Sequence, residues 1–118
     1  MYELEYQTVG PIKFLKKFSG YFLDRAYEEI KLEARYHYYK TCRFFEIQNP
    51  KEIIVELFRM TENLDFFWGG LCMPKTNPIV LGFNIASYAC NYEHLITDTI
   101  PHEVAHAIVA NKYPSAIE

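Results

Sequence analysis

Residues 101–111, Pro101-His102-Glu103-Val104-Ala105-His106-Ala107-Ile108-Val109-Ala110-Asn111, carry one charged side chain, Glu103, and two histidines among small and apolar neighbours. That composition fits a helix buried on most of its sides. Such a helix must find partners for two imidazoles and a carboxylate. Four residues advance a helix by ~400° and ~6 Å, so His102 and His106 stand on one face, a turn apart. Glu103 stands ~100° round from His102.

The chemistry of that spacing is direct. Two imidazoles on one face can converge on a single cation, and zinc favours nitrogen ligands and tolerates an open position for water. Zinc lowers the pKa of a bound water to ~7, and Glu103 is placed to take its proton as general base. His102 and His106 are therefore the candidate metal ligands and Glu103 the candidate catalytic residue. The plainer alternative has two ordinary half-buried histidines and a solvent-facing glutamate, since the H-E-x-x-H pattern also arises by chance. Asp98, one turn before His102, has the spacing to orient it by hydrogen bond, or to be an exposed residue. His94 lies two turns before His102, ~12 Å along the axis, too far to share a metal. His37 sits among tyrosines on another segment and reads as a surface or packing residue.

The 118-residue chain as a whole bounds the class of protein. Its length fits a single domain, residues 1–118. Aromatics number 20 of 118, too many for a disordered chain. No run approaches the ~18 consecutive apolar residues that a membrane span needs. The start, Met1-Tyr2-Glu3-Leu4-Glu5, has neither a basic start nor an apolar stretch, so no secretory leader is expected. Cys42, Cys72 and Cys90 form no C-x-x-C pair, which argues for a reducing, cytoplasmic setting and three small buried thiols.

Charge is uneven along the chain. Residues 1–60 hold 10 Lys+Arg and 9 Asp+Glu, whereas residues 61–118 hold 2 and 6. The second half would repel nucleic acid. In the first half Lys13, Lys16 and Lys17, with the stretch Arg35 to Phe45 that mixes cations and aromatics, offer a footprint for single-stranded DNA. The simpler reading makes those aromatics core and those cations a solvated edge.

Periodicity gives an α+β order of elements. Leu15, Phe18, Phe22, Ala26, Ile30 and Ala34 recur at three and four, predicting a helix over about 11–38. Residues 41–48 read as a short strand or as more helix. Asn49-Pro50-Lys51-Glu52 resembles a helix cap, with Ile53, Ile54, Leu57 and Phe58 as the face that follows. Residues 65–73 and 79–83 read as strands of a hairpin turning at 74–78, with Gly69-Gly70 marking a bulge or a close backbone approach. A short helix over 85–90 and a longer one over 92–111 close the chain. Pro101 predicts a new helix start or a bend.

The segment 64–109 resembles the SprT-like (Spartan-type) zinc metallopeptidases. Ile79-Val80-Leu81-Gly82-Phe83-Asn84 is similar to that family's last strand. Thr97-Asp98-Thr99-Ile100-Pro101-His102-Glu103-Val104-Ala105-His106-Ala107 is similar to its active-site helix. The resemblance implies a fold of N-terminal helices and a small antiparallel sheet packed on a zincin-like helix. It implies zinc on His102 and His106, Glu103 as base, and peptide-bond hydrolysis of proteins, in some relatives proteins crosslinked to DNA. It also implies a third histidine ligand about a dozen residues past the second, and residues 107–118 hold no histidine. Three expectations stay open: a ligand beyond Glu118, another third ligand such as Glu118 itself, or a degenerate site. In the last case the chain is a catalytically incomplete interaction or scaffold module. The cysteine-rich zinc ribbon of many relatives is absent from these 118 residues.

Overall fold

The computed structural model describes residues 5–9, 12–17, 20–60 and 68–114. Strands β1 (Glu5–Val9) and β2 (Ile12–Lys17) precede one long helix, α1 (Tyr21–Phe44). Strand β3 (Ile53–Met60) follows, then β4 (Gly70–Met73) and β5 (Ile79–Asn84). The helical part comprises α2 (Ile85–Cys90), the single turn α3 (Tyr92–His94), a π-turn over Leu95–Thr99, and α4 (Ile100–Lys112).

The class is α+β, but the sheet is mixed rather than antiparallel. Its order is β1-β2-β3-β5-β4. β3 and β5 run parallel, from Ile53 opposite Ile79 to Phe58 opposite Asn84, and the other neighbours are antiparallel. The β4–β5 hairpin falls where the sequence predicts it, although residues 65–67 of the expected first strand lie outside the described residues.

Two expected helical segments are strands. The predicted helix over 11–38 begins only at Tyr21, because Phe14 and Leu15 bury on opposite faces of β2. Phe18 lies outside the described residues, and Phe22, expected in the stripe, is exposed. Residues 53–60, expected to be a helix behind an Asn-Pro cap, form β3. Ile53, Val55 and Leu57 are buried at a spacing of two and Ile54 points outward, a strand's alternation. The β-branched run Ile53-Ile54-Val55 favours that choice. Asn49 takes φ 50, a left-handed conformation that turns the chain rather than capping a helix. Residues 41–44 complete α1.

The sheet separates two packing layers. Leu15, Ile53, Val55, Leu57, Ile79, Leu81 and Phe83 face the main core, with Leu23, Ile30, Ala34 and Tyr38 of α1 and Ile100, Val104 and Ile108 of α4. The other face packs Phe14 edge-on to Phe58, ring centroids 6.1 Å apart, with Leu71, Met73 and Val80 around them.

A polar clamp inside the apolar layer ties α1, the approach to β3 and the end of α4. The buried Tyr38 hydroxyl donates to the Lys51 carbonyl at 2.5 Å and accepts from Asn111 Nδ2 at 2.8 Å. Lys51 N donates to Asn111 Oδ1 at 2.9 Å. Burial pushes the tyrosine pKa above its ordinary value. Among the described residues no helix is long and apolar enough to cross a membrane.

Candidate metal centre

The site is built on α4, whose buried side carries Ile100, Val104, Ala107 and Ile108. Pro101 has no N–H to give the preceding turn, and its ring crowds the carbonyl four residues back. The chain absorbs it with the π-turn, in which Ile100 N–H reaches the Leu95 carbonyl five residues before it. Of the two expectations at Pro101, a new helix start or a bend, the structure has the start: α4 begins at Ile100 with Pro101 in its first turn, entered directly from the widened turn.

His102 and His106 face each other on the exposed side of α4, with Nε2 atoms 3.2 Å apart and ring centroids 4.8 Å apart. Two nitrogens on a tetrahedral zinc, each bonded at about 2.05 Å, stand roughly 3.3 Å apart. The pair therefore fits one edge of such a coordination shell. The same separation suits a hydrogen bond between a protonated and an unprotonated nitrogen.

Glu103 completes the group. Donor atoms of His102, Glu103 and His106 lie within 4.8 Å of one another, so these residues could hold a metal ion. Glu103 is 7% exposed, contrary to a solvent-facing glutamate. Burial raises its pKa above the ordinary carboxylate value, and the two imidazoles pull it partly back.

Strand β4 forms the wall beside this group. A β-carbon on Gly70 would lie 3.0 Å from Glu103 Cγ and from Thr99 Cγ2, and 3.2 Å from the Gly82 carbonyl. Glycine there lets the strand lie against the helix, which is the close approach that Gly69-Gly70 predicts. Asn84 fixes the start of β4. Its Nδ2 donates to the Trp68 carbonyl at 3.0 Å and its backbone N donates to the Gly69 carbonyl at 2.8 Å. The Asn84 side-chain oxygen caps α2 by accepting from Ala86 N at 2.9 Å.

The other sequence candidates are placed elsewhere. Asp98 pairs with His94, Oδ2 to Nε2 at 3.1 Å. Thr99 Oγ1 lies 3.2 Å from the other ring nitrogen of His94. His37 lies 3.5 Å from Glu33 on α1. In the basic and aromatic stretch Tyr38 and Cys42 are core, while Arg35 and Lys40 lie over the rings of Tyr39 and Tyr36. The side chains of Lys13, Lys16 and Lys17 lie outside the described residues, as does Glu118. The cysteines are not uniformly buried: Cys42 is buried, Cys72 half-buried and Cys90 exposed. Burial and the neighbouring Glu103 push the Cys72 thiol up to about 12. Sequence reasoning missed Cys72 as a neighbour of Glu103, because strand and helix meet only in the folded chain.

Comparison of the chain with protein-family models, with curated proteins and with solved structures finds no match.

Proposed function

We propose that the chain is a zinc-dependent metallopeptidase of the SprT-like kind, with α4 as its zincin-like active-site helix. The observation that carries this reading is the 3.2 Å approach of the two Nε2 atoms beside a buried carboxylate. Zinc held there supplies Lewis acidity and an acidified water. His102 and His106 would hold it through the two Nε2 atoms that face each other. Glu103 takes a proton from the attacking water onto a carboxylate oxygen and returns it to the nitrogen of the leaving amine. The substrate class is protein, and its extension to DNA-associated proteins rests on the sequence resemblance alone. The test is to measure bound zinc and cleavage of an unfolded protein by wild type and Glu103→Gln. Zinc in both with cleavage in wild type alone supports the reading, and equal cleavage overturns the base assignment.

A second reading, a catalytically incomplete interaction module, is favoured by one observation. Among the described residues no third histidine joins His102 and His106. Stoichiometric zinc with peptide cleavage excludes it, and a protein that takes up no zinc supports it.

A further inference from the structure

The stretch of α1 that mixes cations with aromatics leaves part of its ring area outside the core. Tyr38 is buried, whereas Tyr36, Phe44 and Phe45 are exposed, Phe44 by 78%. A phenyl ring left in water forgoes most of the gain that its burial would bring. Phe44 is the last residue of α1, and Phe45 caps the helix before the chain turns through Glu46 at φ 54. The two rings stay together at the end of the helix, edge to face, with centroids 5.0 Å apart.

Helix α4 brings a second set of groups to the same place. Lys112 is its last residue, ~9 Å along the axis from His106. Its ammonium lies 4.7 Å from the centre of the Phe45 ring and 5.8 Å from that of Tyr113, which is also exposed. One turn before Phe44, on the same side of α1, Lys40 holds its ammonium 5.4 Å from the centre of the Tyr36 ring. Tyr36, Lys40, Phe44, Phe45, Lys112 and Tyr113 thus form one continuous strip over the ends of two helices. Neither lysine, nor Arg43 beside them, has an ion pair among the described residues.

Two features decide what fits such a strip. Contiguous exposed rings mark an interaction surface, and ammonium groups without carboxylate partners favour a negative occupant. A single-stranded nucleic acid needs open ring faces for its bases and a run of cations along its phosphates. Here the rings of Tyr36, Phe45 and Tyr113 already have an ammonium over them. A net charge of −3 on the chain also repels a polyphosphate along its length. A short peptide with a few carboxylates between large apolar side chains meets the strip alone. Its carboxylates reach the lysines, and its apolar groups cover the exposed rings.

We propose that this strip is a docking surface for an acidic, leucine-rich or similarly apolar peptide segment of a partner protein. Phe44 is its apolar anchor, and Lys40 and Lys112 set the charge at its two ends. The inference does not depend on the reading of His102 and His106 as metal ligands.

The test uses the whole chain and a fluorescein-labelled synthetic peptide that alternates glutamate with leucine, followed by anisotropy. The expected result is saturable binding that weakens as salt rises. Replacing the glutamates by glutamine, or the leucines by serine, should weaken it roughly tenfold. Phe44→Ser and Lys112→Glu should each do the same with an unchanged far-ultraviolet CD spectrum. No binding at millimolar peptide overturns the proposal, as does binding undiminished in both variants. Tighter binding of labelled oligothymidylate than of the peptide overturns the choice of partner. If Phe44→Ser fails to fold, Lys40→Glu and Lys112→Glu decide, and peptide affinity equal to wild type in both overturns the surface.

Discussion

Gly70 and Glu103 stand so close that a methyl group on the glycine would lie 3.0 Å from the glutamate Cγ. Strand and helix thus share one narrow seam. Gly70→Ala is expected to destabilise the fold by about 1–3 kcal/mol, the usual cost of overpacking. Thr99 and the Gly82 carbonyl block the same space, so Glu103 cannot make room by itself. A denaturant midpoint unchanged from wild type would show that the seam is looser than described.

The histidine pair predicts metal affinity directly. His102→Ala or His106→Ala should abolish stoichiometric zinc binding, read by isothermal titration and by metal content after gel filtration. Glu103→Gln should retain zinc and lower hydrolysis by roughly 10²–10⁴-fold, the usual contribution of a general base. Zinc uptake that survives loss of either histidine contradicts the site.

Glu103 also predicts a pH dependence in the metal-free protein. Its folded pKa lies above its ordinary value near 4.5, so ionising it costs more in the folded than in the unfolded chain. The stability it permits is full below that ordinary value and falls as pH rises through the raised one. Glu103→Gln cannot ionise and escapes this loss. In chelator, the variant should therefore gain on wild type as pH rises from 4 toward 7, followed by urea unfolding at each pH. A constant difference, or one that shrinks, contradicts a raised pKa.

Asn111 holds three partners at once: the Tyr38 hydroxyl, the Lys51 backbone N–H and the Ala107 carbonyl. Asn111→Ala should destabilise the protein by about 1–3 kcal/mol, since it leaves a largely buried hydroxyl and a backbone donor short of partners. Thermal or urea unfolding reads this loss. A near-neutral effect would mean that water replaces the amide.

Asn84 both caps α2 and holds the carbonyl ahead of β4. Asn84→Ala should cost about 1 kcal/mol for the cap alone, and more if the Trp68 carbonyl is left unpaired. Hydrogen exchange along residues 68–73 is the sharper measurement. Faster exchange there, with α4 unchanged, separates anchoring of the strand from general instability.

The site was legible in the sequence because its geometry is local. The separation of His102 and His106 follows from helical pitch alone, and the apolar residues of α4 name its buried face. The N-terminal half was less legible, for a physical reason. Leu15, Ala26, Ile30 and Ala34 fall at helical spacings, but Phe14 and Leu15 are buried on opposite faces of one strand. A short apolar run such as Ile53 to Phe58 suits either period, and only the partner decides. That partner is β5, parallel and more than twenty residues away in sequence, and no local pattern encodes it. The burial of Glu103 against Gly70 and Cys72 depends on long-range docking of the same kind. Gly69-Gly70 signalled a close approach without saying to what.

The sheet order has a practical corollary. Three strands stand between β1 and β4, and α4 packs on β4, β5 and α1. The margin formed by β1 is thus remote from the imidazoles. A fluorophore or surface tether attached at that margin would leave the histidine pair untouched, and sequence drift there would be tolerated more readily than drift along the seam.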